Sequence, residues 1–171
     1  MAQHASPLEL KVDDKLLYRR FNRFRAVAPM MLWVAMLDSM REVGFQAVSA
    51  YMLHTPGPHG DKLGMRTTEL ARSLTEGFGF SRDAQGTRWS VRRINFAGDS
   101  VMGTYGSRLP YAAIHEFGGV IDHPNLFGRG IHARIHIPAR PYLRPALQDT
   151  EPKIHGIFAA AMRKLVKEVG L

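Results

Sequence analysis

The chain has 171 residues, 45% of them hydrophobic and 22% charged, enough to bury a core of its own and expected to form a single domain over 1–171. Cysteine is absent, which excludes disulfides, thiolate metal sites and thiol catalysis. A formal net charge of +8 and a pI near 10.2 imply attraction to a polyanion or an acidic protein surface, or serve solubility alone.

The first segment, 1–12, reads as a flexible arm in which Leu8 to Val12 alternates apolar and charged residues. It lacks a signal-peptide layout. The first apolar run, Ala26 to Leu37, is broken by Pro29 and stopped by Asp38, well short of the ~20 residues a membrane span requires. A soluble chain made in a cytoplasm, without a membrane partner, is the expectation. Asp13 or Asp14 can cap a helix to about Arg25, with Leu17, Phe21 and Phe24 at helical spacing. Lys15, Arg19, Arg20, Arg23 and Arg25 form its other face, either a solvated surface or a contact for DNA phosphates or an acidic ring. Pro29 is expected to open a second helix, because a first-turn amide has no partner to lose. That helix runs to about His54, with Trp33, Met36, Met40, Val43, Ala47 and Tyr51 on one stripe and Asp38, Glu42 and Ser49 opposite. Its methionines read as core filler, and Gly44 marks a close approach.

Residues 55–64 (TPGPHGDKLG) are a loop by composition, expected to be mobile and to order against a neighbour. Met65 to Leu74 is a short helix exposing Arg66, Glu69 and Arg72. From Thr75 to Ser107 the period changes to two. Trp89 and Val91 share one parity and Ile94 and Phe96 the other, which predicts a bulge near Arg92–Arg93. Ala97 to Ser100 is a turn, and Val101 to Tyr105 the return strand of a meander.

Pro110 opens a helix of one or two turns that Gly118-Gly119 stops. Val120-Ile121 can pair with Ile131 to Ile137 across a loop from Asp122 to Gly130. In the second strand Ile131, Ala133, Ile135 and Ile137 face one way and His132, Arg134 and His136 the other, so one side is buried and the other wet or at an interface. Pro138, Pro141 and Pro145 then fix three φ angles and remove three amide donors, making a rigid corner. Pro152 separates that corner from an amphipathic helix, Lys153 to Val169, striped by Ile154, Ile157, Phe158, Ala161, Leu165 and Val169 and ended by Gly170. The predicted fold is α+β: an antiparallel sheet of about four strands packed against long N-terminal and C-terminal helices.

His115, Glu116, Asp122, His123, His132 and His136 are the residues that invite a metal reading. His132 and His136 lie on a strand, where positions four apart are ~13 Å distant, so a metal site is disfavoured. The histidines instead read as lining an interface whose contacts they tune near neutral pH. Glu116 lacks a partner that would make it a general acid or base. It is expected to fasten the turn after it to the proline corner through a bidentate pair with Arg140 or Arg144. Tyr142 and Leu143 either anchor a neighbour or pack under their own helix. Neither a phosphate-binding glycine loop nor a serine triad signature appears, so no cofactor and no catalytic residue is assigned.

YAAIHEFGG and IPARPYLRPAL together resemble the signature of a family of tailed-bacteriophage morphogenesis proteins, the small neck or tail-completion proteins that join head to tail. The likeness rests on Tyr111, Ala112, Glu116, Phe117, Gly118, Pro138, Ala139, Arg140, Pro141, Tyr142, Leu143, Arg144, Pro145 and Ala146, with Gly119 completing the turn. Thr67 to Leu74 is similar to an upstream family segment, Thr-Gly-x-Leu-x-x-Ser-Ile, departing in Glu69 and in a Thr where Gly is common. The resemblance implies a structural virion protein that forms a ring, a hexamer by expectation, between tail and head connector. Its partners would be further copies of itself, the connector or stopper, and the tail terminator or tube, with non-specific contact to DNA in the lumen. A tail terminator is the near alternative. A monomeric basic nucleic-acid-binding protein or metal-dependent nuclease is the alternative of another class.

Overall fold

A computed structural model describes residues 14–52, 69–75, 89–97, 100–126 and 131–170. The expectations for 1–12 and 55–64 lie outside these residues, as does 76–88 of the stretch from Thr75 to Ser107.

Two long helices organise the chain. The first, α1 (Asp14–Gln46), continues through a wider helical turn, Ala47–Met52. Pro29 stands inside it and does not start a new helix. Proline deprives the carbonyl four residues back, on Arg25, of its partner. Arg25 and Pro29 are both exposed, where water can take that carbonyl. On the other face Phe24, Val27, Ala28 and Met31 all pack near Leu165 and Val169, so one continuous seam spans the proline. The last helix, α4 (Leu143–Val169), overrides proline in the same way. It begins ten residues before the expected start and carries Pro152 inside, exposed. Gly170 ends it in the left-handed conformation (φ 76°), donating its N–H to the Val166 carbonyl. The helices run antiparallel: Lys153 meets Glu42 at one end, and Val169 meets Ala28 at the other.

A short helix, α2 (Glu69–Leu74), buries Leu70, Ala71 and Leu74 against Val43, Ala47, Val48 and Met52. Its outer face carries Glu69 and Arg72, as expected. The close approach at Gly44 is real: a Cβ there would overlap the Tyr105 hydroxyl and come within 2.7 Å of the Leu74 carbonyl oxygen. Met40 and Met52 are core residues, whereas Trp33 is exposed.

Among the described residues four strands make two ribbons, not the single sheet expected. β1 (Ser90–Ala97) pairs with β2 (Ser100–Ser107), and β3 (Gly119–Leu126) with β4 (Ile131–Ile137). Between the ribbons the chain turns into the core, burying Leu109 and Ala112 at the start of the third helix, α3 (Ala112–Phe117). That detour prevents β2 and β3 from running on as neighbours. The bulge predicted at Arg92–Arg93 is absent: the ladder keeps one register from Ser90↔Ser107 to Ala97↔Ser100. The parity change in the sequence leaves no mark on the pairing. The irregularity falls instead between His123 and Leu126, beside Pro124, which has no amide to offer the ladder. The pairing also extends further than expected, through Asp122, whose carboxylate takes the Arg134 guanidinium at 3.2 Å.

Candidate functional site

The corner after β4 and the turn after α3 form one stitched unit. Gly118 (φ 72°, ψ 179°) stops α3 in a conformation open almost only to glycine, and its N–H closes on the Ile114 carbonyl at 2.8 Å. A Cβ at Gly118 would stand 2.9 Å from the Ala139 amide nitrogen and 3.1 Å from the Ile137 carbonyl oxygen. The Arg140 N–H donates to the His115 carbonyl at 2.7 Å, and Gly119 opens β3 opposite Ile137.

Glu116 is buried at the centre of this unit, and its partners differ from those expected. Its carboxylate accepts the backbone N–H groups of Tyr142 (2.8 Å), Leu143 (2.9 Å) and Arg144 (2.9 Å). No ion pair joins it to Arg140 or Arg144 among the described residues. A helix N-terminus leaves four amides without intrahelical partners. In α4 these belong to Tyr142, Leu143, Arg144 and residue 145; Glu116 takes three, and Pro145 has none to satisfy. The negative carboxylate also sits where the helix dipole is positive. Glu116 is thus a helix cap supplied from 26 residues upstream of Tyr142. The carboxylate takes backbone amides at the start of α4 in place of a guanidinium.

The remaining residues of the motif divide into two sets. Tyr142 is 1% exposed and packs under its own helix in the core with Ala112 and Ala146. Its hydroxyl donates to the Ala112 carbonyl at 3.4 Å, and burial, then the Glu116 charge, raises its pKa well above the usual phenol value. Leu143 and Tyr111 lean on the same core; Pro141 and Pro145 are half-buried. Tyr111 and His115 meet edge-on at 5.9 Å, and both the tyrosine hydroxyl and the imidazole Nδ1 are buried without a partner. Burial, and next the Arg140 charge, push His115 below the ordinary histidine pKa. The second set points outward: Pro138, Arg144 and Phe117, the last 67% exposed with the Arg144 guanidinium over its ring at 5.7 Å. Phe117 and Arg144 edge an apolar cleft of about 510 Å³ beside Met40, Val43 and Tyr105.

Among the described residues no three His, Asp or Glu side chains gather as a metal site, and those of His123 and His132 lie outside them. No described helix is long and apolar enough to cross a membrane.

The stitched unit lies within a segment that resembles a described family. Residues 92–163 match the model of the phage virion morphogenesis family. The match runs from the first ribbon through the Glu116 turn and the proline corner into α4. It supports a structural or assembly role in a phage and association with the virion. No curated protein and no solved structure matches the chain.

The remote cap was missed, although the sequence carries a sign of it. α4 opens on Ala-Arg-Pro-Tyr-Leu-Arg-Pro, without Ser, Thr, Asp or Asn at the capping position. A helix start lacking a local acceptor calls for a distant one.

Proposed function

We propose that the chain is a structural virion protein that completes a phage tail or neck, closing as a ring of copies that joins the tail to the head connector. The observation that carries this reading is the family match over 92–163, which contains the whole capped corner. The corner's chemistry supports it. Glu116 is spent on three backbone amides, and the motif's outward side chains are an aromatic ring, an arginine and a proline, residues suited to binding rather than turnover. Apolar side chains left bare on the ribbons, Phe96, Met102, Val120 and Ile121 among them, supply further surface for neighbours. Copies joined through unlike surfaces close into a ring when the rotation between them closes. The test is to locate the polypeptide in purified particles from the genome that encodes it, by immunogold labelling. Label at the head–tail junction is the expected result. Particles without the polypeptide would refute the proposal.

A further inference from the structure

Two long stretches of the chain carry no carboxylate. From Lys15 to Leu37 there is neither Asp nor Glu, and from Pro152 to Lys167 there is none either. The first stretch holds Arg19, Arg20, Arg23 and Arg25, and the second ends on Arg163, Lys164 and Lys167. The fold lays the two side by side, because α1 and α4 run antiparallel and Val169 packs beside Phe24 and Ala28. One end of the helix pair therefore gathers cations from the two ends of the sequence.

Helical positions seven apart differ by only ~20° and so share a face. A groove of about 500 Å³ between α1 and α4 marks one side of the pair; Val27, Met30 and Ala160 line it, and so does Lys164. Arg20 precedes Val27 by seven, Arg23 precedes Met30 by seven, and Lys167 follows Ala160 by seven. Arg20, Arg23, Lys164 and Lys167 thus turn to the same side. Arg20 is half-buried and the other three are exposed. No described carboxylate pairs with any of the four. Lys164 and Met31 line the groove together, so the four extend over the helical length from Arg20 to Met31, about 16 Å. Glu168 is the carboxylate among them; Asp38 lies toward the other end of the groove and holds Arg41 at 3.1 Å. The lysines suit the negative end of their helix dipole, but Arg20 and Arg23 lie in the half of α1 nearer its positive end and gain no such support.

We propose that this side of the helix pair binds the phosphate backbone of double-helical nucleic acid without regard to sequence. Each strand of a duplex offers a negative charge about every 3.4 Å of axis, so a 16 Å surface faces about five phosphates of one strand, a match for four cations. Contact of this kind needs charge and reach, which long exposed Arg and Lys side chains supply, and no base-reading pocket. The duplex is favoured over a single strand because the groove is lined without an aromatic ring on which an unpaired base would stack. The inference goes beyond the assembly reading and stands apart from it, since a protein that joins head to tail need not touch the genome.

The test is fluorescence anisotropy of the full chain with two labelled DNA duplexes of unlike sequence, titrated at salt concentrations from about 50 to about 200 mM. Both duplexes should bind alike. Four neutralised phosphates give a slope of about −3.6 in log affinity against log salt, which weakens binding about 150-fold across that range. Arg20→Gln/Arg23→Gln and Lys164→Gln/Lys167→Gln should each halve the slope, leaving a loss of about 12-fold. The two pairs lie on different helices, so either serves if the other unfolds the chain. Arg72→Gln/Arg93→Gln removes the same net charge from exposed positions on α2 and β1 and should leave the slope as in wild type. A chain that ignores both duplexes at the lowest salt overturns the proposal. So does a slope that neither helix pair alters, or that the α2 and β1 control alters equally. Retention on immobilised polyglutamate through these four residues, without duplex binding, would overturn it too and give the face to an acidic protein. None of these results bears on the labelling of particles, which alone decides the virion role.

Discussion

Replacing Glu116 by alanine exposes what the corner depends on. The substitution removes three hydrogen bonds at 2.8, 2.9 and 2.9 Å, all donated by the first amides of α4 to a charged acceptor. A bond to a charged group contributes about 1.5–3 kcal/mol, but some of the freed amides will recruit water, so the three will not sum. Loss of a local helix cap alone costs about 1–2 kcal/mol. Between these bounds the expected loss is about 3–5 kcal/mol. For a chain of this size, that lowers the melting temperature by roughly 6–20 °C. Glu116→Gln separates charge from contact. Oε2 serves Tyr142 and Leu143 while Oε1 serves Arg144, so the amide can keep two bonds and must turn its NH₂ toward the third donor. Its cost should be intermediate, about 2 kcal/mol. Arg140→Ala should be mild, and its effect additive with Glu116→Ala, since that guanidinium does not hold the carboxylate. Urea unfolding of wild type, the three single variants and the Glu116→Ala/Arg140→Ala double variant measures all of this. A Glu116→Ala protein within 1 kcal/mol of wild type, or strong coupling to Arg140, would refute the capping argument.

Three further outcomes follow from the geometry. His115 is held below its ordinary pKa of 6.5 by burial and by Arg140, so the unfolded chain takes up a proton that the folded chain resists. Stability should therefore fall as pH drops through ~6.5 toward the lowered folded value, and His115→Gln should flatten the shift of the urea midpoint between about pH 8 and about pH 5.5. Gly118→Ala forces a Cβ into a glycine-only conformation 2.9 Å from the Ala139 nitrogen, and should cost at least ~2 kcal/mol in the same assay. Gly44→Ala overpacks the contact with Tyr105 and Leu74, for a loss of about 1–3 kcal/mol by thermal unfolding.

The sequence showed plainly where glycine dictates the backbone and where periodicity is long. The stop at Gly118, the end of α4 at Gly170, the close approach at Gly44 and the stripe ending in Leu165 and Val169 all appear as read. Proline misled twice. Pro29 and Pro152 are local helix breakers, yet each sits on an exposed face of a helix held by packing on its other side, and local preference gave way to the seam. The strands were legible as strands. How they associate was not, because the burial of Leu109 and Ala112 that parts the two ribbons depends on a core gathered from distant segments. At the candidate site the motif residues do come together, but chemical type suggested the wrong partners. Carboxylate and guanidinium were matched by charge, whereas the backbone amides of an uncapped helix were the nearer demand. For Tyr142, two readings stood open, and its burial decides for packing under its own helix.

The proposed function, binding in a virion rather than turnover, is tested directly by deletion of the gene. Electron microscopy of the resulting lysate should show filled heads and separate, unjoined tails, with joined particles restored by wild-type protein supplied in trans. Normal numbers of intact, infectious particles without the protein would contradict the account.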